Sequence, residues 1–289
     1  MNLLNNKRAI ALFLLPGLLL YTVIVFVPIV ESLYYGFFKW NGVSEMQFIG
    51  LNNYRLMFRD RVFIQSLKNN LFYILMVMSV QVGFGLLLAI LVTYLTRGRE
   101  VIRTAYYVPA VINSIAIVQL FRSMYSYEPV GLFNSILIAL GAKPIAFLSD
   151  YTLALPCVSM VEGWQYIGVY MIIFYSALVS ISSDLSEAAR IDGASEWQLF
   201  WRVRVPLMKN VIGLALILSL VGALRGFTSP MLLTQGGPGS QTEIMATYMY
   251  KKAFLGTRLG YGSAVAVIIV ALSLMGVSCI NAVTSRANT

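Results

Sequence analysis

Long apolar runs separated by short polar or basic segments make up most of this chain. A helix needs about 20 mostly apolar residues to cross the hydrocarbon core of a bilayer. Six runs meet or approach that length, at residues 9–30, 71–95, 104–121, 151–180, 210–232 and 259–285. The second carries no charge and is closed by Arg97, and the third is bracketed by Arg103 and Arg122. The fourth is interrupted only by Glu162, and the fifth by Arg225. The pattern predicts an all-α integral membrane protein of six transmembrane helices, forming a single transmembrane domain over residues 1–289.

The connections between the runs differ in kind. Residues 31–70 are mixed, with an amphipathic stretch at 53–67 expected to lie along the surface. Residues 96–103 are short and basic, residues 124–150 hold Pro129 and Pro144, and residues 233–258 are rich in Gly and Thr. The segment 181–209 is the most charged. Lys and Arg near helix ends set orientation. They are densest in the N-terminus, in 96–103, in 181–209 and at Arg286, which predicts an N-in, C-in topology. Lys7 and Arg8 precede the first run as in a signal peptide, but that run exceeds a usual h-region and no A-x-A site follows, so it reads as a retained first helix.

Composition supports the membrane assignment. Hydrophobic residues make up 58% and charged residues 11% of the chain, against about 25% charged in an average soluble domain. The net charge of +9 in so apolar a chain points to basic loops beside anionic lipid rather than to nucleic acid. There is no histidine, so the commonest general base and metal ligand is missing. Cys157 and Cys279 lie inside apolar runs and read as small hydrophobes. No G-x-x-x-x-G-K-[ST] phosphate loop is present. Nothing suggests a nucleophile–base pair, a metal cluster or paired inverted repeats. No catalytic or metal-binding residue is therefore assigned.

The segment 184–206 has a legible local structure. Asp184 and Glu187 are spaced as a helix-start signal, and a short helix is expected to run to about Ile191. Gly193 breaks it, and Ser195 with Gln198 forms a second start signal. Trp197, Phe200, Trp201 and Arg204 fall at i, i+3, i+4 and i+7, on one helical face, and Pro206 is expected to close that helix. This spacing fits either a helix cap with aromatics packed on the membrane interface, or an exposed elbow built for docking. The string EAARIDGASEWQLFWRVRVP resembles the EAA loop of ABC-importer permeases. That resemblance implies a coupling helix that inserts into a cleft of a cytosolic ATPase. It places a charged contact at Glu187, close approach at Ala188 and Ala189, and the bend at Gly193, with Asp192 and Ala194 completing the D-G-A form. The residues after Pro206 depart slightly from the family pattern.

A second group of segments resembles carbohydrate-type permeases, similar to the maltose-type F partner. It comprises Leu233-Thr-Gln-Gly-Gly-Pro238, Phe48-Ile-Gly-Leu-Asn-Asn-Tyr54, Pro16-Gly17 and Tyr107-Val-Pro109. The resemblance covers almost the whole chain. It implies a second permease subunit in a heterodimer, two cytosolic ABC ATPase subunits that bind the ATP and Mg, and an extracytoplasmic sugar-binding protein. It also implies a bacterial or archaeal plasma membrane.

Charges inside a span are costly and usually face a cavity or one another. Glu162 and Arg225 are therefore expected either to pair structurally, with Arg225 alternatively snorkelling outward, or to line a polar path. Sugars present hydroxyls beside apolar C–H faces, so a sugar path needs aromatic platforms next to amides and charges. Glu162, Trp164, Gln165, Tyr170, Arg225 and Thr228 are the expected path residues; the aromatics equally fit an interfacial belt. Asn113 and Gln119 fit polar bridges between helices. The other readings of the chain are a permease for amino acids or peptides and an ion-coupled secondary transporter.

Overall fold

The computed structural model describes residues 7–286. Helices account for nearly all regular structure, and a single antiparallel pair, Phe38–Lys39 with Gln47–Phe48, is the only sheet among the described residues. Among the described residues, five helices are long and apolar enough to span a membrane: α1 (Ile10–Tyr35), α2 (Arg61–Tyr94), α5 (Ala154–Ser180), Lys209–Leu233 and α10 (Leu259–Arg286). The sixth span is a broken one. Helices α3 (Arg99–Val111) and α4 (Ser114–Met124) meet at an angle of 99°. Lys209–Leu233 is itself interrupted, with α8 (Lys209–Arg225) ending before Gly226 and α9 (Thr228–Leu233) starting after Phe227. Between α5 and α8 lie the short helices α6 (Ser183–Ile191) and α7 (Glu196–Leu199).

These findings correct four expectations. The run 104–121 is not one straight helix. Pro109 cannot donate to the preceding turn and its ring crowds it; Ile112 is extended, and Asn113 opens α4 by accepting the Ile115 N–H at 2.8 Å. The stretch 53–67 is not one surface helix. A short helix Asn52–Met57 ends before Asp60, and α2 starts at Arg61, ten residues ahead of the apolar run. The first span reaches Tyr35 rather than residue 30. A π turn at Thr22–Phe26 lets it absorb Pro28, because the Val27 N–H reaches back to the Thr22 carbonyl. Pro206 does not close its helix: a π turn at Phe200–Arg204 runs into Val205–Leu207, and the interruption falls at Met208.

Contacts divide the chain into two compact units, Met1–Arg61 with Met249–Val270 and Val62–Tyr248 with Ala271–Thr289. In the first, the carboxamide of Asn53 donates to the carbonyls of Gly36 and Phe38, both at 2.9 Å, and pins the strand pair. Lys252 pairs with Asp60 at 3.0 Å. The most apolar window of α1 has none of its residues buried, as expected of a helix whose whole circumference is apolar and meets lipid.

The second unit is built around α5, which carries two apolar clusters. Leu155, Val158 and Val161 join Tyr73 and Val77 of α2, Phe121 of α4 and Leu224 of α8. Met171, Phe174 and Leu178 join Ala89 and Val92 of α2 and Ala215 of α8. Close backbone approach replaces side-chain packing at two glycines of α5. A Cβ on Gly168 would sit 1.9 Å from the Tyr106 carbonyl oxygen, and one on Gly163 would sit 2.8 Å from Val80. Small residues at such contacts are the usual means by which membrane helices associate. The basic turn after α2 is clipped by Arg99, which donates to the carbonyls of Leu95 at 2.7 Å and Thr93 at 3.2 Å, while Arg103 lies 4.5 Å from the centre of the Tyr175 ring. Cys157 and Cys279 are both unbridged.

An ordered connection follows α9. Asn69 of α2 donates to the carbonyls of Ser240 and Glu243, each at 2.8 Å, and Asn70 accepts the Met245 N–H at 3.2 Å. Thr242 donates to the Gly237 carbonyl at 2.7 Å, and residues 242–248 are buried. This Gly- and Thr-rich connection is therefore stapled to the second span.

Candidate functional site

Between the two apolar clusters a cavity of about 440 Å³ opens on the second unit. Glu162, Tyr166 and Tyr170 line it from α5; their spacing of four residues places them on one helical face. Gln81 enters from a π turn of α2 (Ser79–Phe84), a local widening that turns one side chain out of register. Ser114 comes from the start of α4, and Arg225, Phe227 and Thr228 come from the interruption between α8 and α9. Both broken spans therefore bring their breaks to the cavity wall, where backbone that no longer continues a helix can face a polar space.

The polar groups are partly tied to the protein. The Ser229 hydroxyl donates to Glu162 Oε2 at 3.1 Å, and the Ser219 hydroxyl donates to Gln81 Oε1 at 2.7 Å. Ser114 and Tyr166 hydroxyls lie 3.3 Å apart. Glu162 and Arg225 line the same space, yet the ion pairs among the described residues do not join them. Of the alternatives, the structural pair does not form: Glu162 is hydrogen-bonded to Ser229, and Arg225 stands on the cavity wall.

The path residues expected from the sequence separate into two groups. Glu162, Tyr170, Arg225 and Thr228 stand on the cavity wall, whereas Trp164 and Gln165 do not. Trp164 packs edge-on against Phe121 at 5.2 Å and joins the apolar cluster. Gln165 is fully buried; its Nε2 donates to the Ile112 carbonyl and to Ser114 Oγ, both at 3.2 Å, while Oε1 has no partner. Two such hydrogen bonds contribute about 1 kcal/mol each and a buried unpaired oxygen costs about 1–3 kcal/mol, so the side chain adds almost nothing net to stability. Gln81, Ser114 and Tyr166 were missed. A lone amide at Gln81 inside an uncharged span was the available signal for one of them, and the four-residue spacing was the signal for Tyr166.

The second candidate site is the elbow. Ser182, not Asp184, caps α6, accepting the Asp184 N–H at 3.3 Å; Asp184 and Glu187 sit within the helix, so the start signal belonged one residue pair earlier. At the other end the Gly193 N–H bonds to the Arg190 carbonyl and the Ala194 N–H to the Ala189 carbonyl, both at 3.0 Å. This paired closure with φ of +83° at Gly193 is a Schellman ending, and Asp192 is its C-cap residue. The Ser195–Gln198 capping box forms with both of its hydrogen bonds. Leu199 is fully buried and anchors α7, while Trp197 is 71% exposed. Glu187 lies on the wall of a cavity of about 350 Å³ with Thr93, Tyr94, Ser186, Arg190 and Arg204. Ala188 is exposed and Ala189 half-buried.

Glu196 ties the elbow together. It accepts from Arg190 at 2.8 Å across the bend and from the Tyr94 hydroxyl, at the end of α2, at 3.1 Å. The Arg190 hydrogen bond holds the Glu196 carboxyl below the usual carboxylate range. A depressed carboxyl stabilises the fold above its unfolded value, about 4.3, and that contribution disappears as pH falls through the folded value. Glu196→Gln is therefore expected to speed amide exchange in residues 192–198 about 2–5-fold at neutral pH, the size of an exposed ion pair. The difference from the parent should shrink as pH falls below the unfolded value and vanish once the folded carboxyl is protonated; hydrogen exchange read by mass spectrometry checks it.

The sequence matches the family described as "Binding-protein-dependent transport system inner membrane component" over residues 81–288. It is 36% identical over 275 residues to "Probable ABC transporter permease protein YurN" of Bacillus subtilis, covering 93% of this chain and 94% of that one. It is 30% identical over 260 residues to "Multiple sugar-binding transport system permease protein MsmF" of Streptococcus mutans, covering 89% and 88%. Among solved structures it matches a chain of a bacterial ABC transporter involved in the import of the acidic polysaccharide alginate. That match has a TM-score of 0.83 and 25% identity, over 97% of this chain and 96% of the other.

Proposed function

The chain belongs to the family of binding-protein-dependent transport system inner membrane components and is an ABC importer permease; on that premise we propose that its cargo is a sugar or oligosaccharide. The observation that carries the proposal is the lining of the 440 Å³ cavity. Hydroxyls at Ser114 and Thr228, the Gln81 amide, one carboxylate and one guanidinium stand beside the Tyr166 and Tyr170 rings. That mixture suits a molecule with hydroxyls on its edges and C–H groups on its faces. The sugar named for the Streptococcus mutans relative supports the same reading.

In this reading the working assembly contains a second permease as heterodimer partner, two cytosolic ATPase subunits holding ATP and Mg, and an extracytoplasmic sugar-binding protein. Closure of the ATPase pair moves the elbow through Glu187, Ala188, Ala189 and the bend at Gly193. The Glu196–Tyr94 hydrogen bond passes that movement to the end of α2. The binding protein delivers its cargo to the cavity, where Glu162, Tyr170, Arg225 and Thr228 receive it.

Co-purification of the chain with the products of neighbouring genes, followed by ATPase stimulation with a panel of sugars, amino acids and peptides, tests the cargo. Stimulation by a sugar is the expected result; stimulation by an amino acid or peptide alone would overturn it. Uptake by the purified chain in liposomes without any ATPase would instead support a secondary transporter. Within the sugar reading, Arg225→Ala is expected to lower uptake at limiting sugar about 10-fold or more, the loss of one hydrogen bond from a charged donor. Radiolabelled sugar uptake into proteoliposomes measures it.

A further inference from the structure

Helix α3 stops where Pro109 and the extended Ile112 end its hydrogen-bond ladder, and the chain turns through 99° into α4. A corner of this kind leaves carbonyl groups without helical partners. Gln165, facing the corner from α5, takes one of them: its Nε2 donates to the Ile112 carbonyl at 3.2 Å. A carbonyl can only accept, so the amide must point its nitrogen there. The same nitrogen donates to Ser114 Oγ at 3.2 Å, and Ser114 Oγ lies 3.3 Å from the Tyr166 hydroxyl. Ser114 and Tyr166 are cavity residues, while Gln165 stands behind them, fully buried. One side chain thus grips the corner and a cavity hydroxyl together. Its Oε1 has no partner, so the amide is held through its donor end alone.

We propose that Gln165 is a positioning residue for transport: it fixes the α3–α4 corner so that the Ser114 and Tyr166 hydroxyls are presented to the cargo. The role depends on donation to Ile112, not on filling space. It rests on the reading of the cavity as the cargo path.

Gln165→Met separates these roles, because the two side chains match closely in length and volume but the thioether has no hydrogen to donate.

The assembled importer in proteoliposomes, with its binding protein, supplies the measurement. The Met variant is expected to assemble in normal yield, with the half-saturating sugar concentration raised about tenfold and the rate at saturating sugar little changed, and Gln165→Leu should behave alike. A Met variant with the parent's half-saturating concentration overturns the proposal. So does failure of the Met variant to assemble, since that would make Gln165 a structural requirement. Arg225→Ala read in the same assay keeps the two readings apart. If it leaves sugar uptake unchanged the cavity reading fails, whereas an affected Arg225→Ala with an unaffected Met variant removes Gln165 alone.

Discussion

Gly193→Val is expected to lower sugar uptake by the assembled importer about 5–30-fold while ATP hydrolysis continues. The backbone at Gly193 has φ of +83°. Placing a side chain in that left-handed conformation costs about 1–2 kcal/mol, and most for a β-branched residue. That lowers the bent form of the elbow about 5–30-fold. No atom lies within 4 Å of a Cβ added there, so the effect comes from the backbone and not from a clash. Asparagine tolerates the left-handed region, and Gly193→Asn should retain most of the parent's uptake. The order parent, Asn, Ala, Val therefore tests the elbow as a coupling device, read as sugar moved per ATP hydrolysed. A Schellman glycine that only ended a helix would give variants that lower expression or thermal stability, with that ratio unchanged. A normal ratio in the Val variant would remove Gly193 from the coupling mechanism.

Gly168→Ala is expected to be the most damaging single-methyl change in the molecule. The new carbon would lie 1.9 Å from the Tyr106 carbonyl oxygen, 2.4 Å from its carbon and 2.8 Å from the Tyr107 nitrogen. All three atoms are backbone, so no rotamer change relieves the overlap. Helices α3 and α5 must separate, and the Gln165 contacts one turn away move with them. Overpacking typically costs about 1–3 kcal/mol, and more where backbone must give way. The expected result is a several-fold lower level of the chain in the membrane and loss of co-purifying partners, read by immunoblot and by the melting temperature of the complex. Gly83→Ala is the control, since no atom lies within 4 Å of its added Cβ. A Gly168→Ala variant as abundant and stable as Gly83→Ala would mean that the helices are not held at that distance.

The spans were legible because 20-residue apolar runs have few other uses. The interruptions were not. Pro109 was visible, but the sequence does not state that the chain turns at Ile112 rather than tilting through, since neighbouring helices can absorb a proline. The Gln165 hydrogen bond that holds the turn joins residues 53 apart in the chain. The middle of the elbow was legible, since Ser195, Gln198 and Gly193 act on their immediate neighbours, while its first cap proved to be Ser182 and not Asp184. Its π turn at Phe200–Arg204 has no local signature and shifted Pro206 from an expected stop to a helical position. The cavity was read in half. Glu162 and Arg225 stand out as charges in apolar runs, but Trp164 and Tyr166 differ only in which side of α5 they occupy, and that depends on what packs against the helix.

The staple formed by Asn69 and Asn70 has a consequence for kinetics. A long connection without secondary structure would lose about 1–2 kcal/mol of conformational entropy per residue on becoming ordered against a partner. Here residues 240–245 are already fixed by hydrogen bonds from the second span. A partner that meets this connection would find it already ordered, with no folding step to wait for.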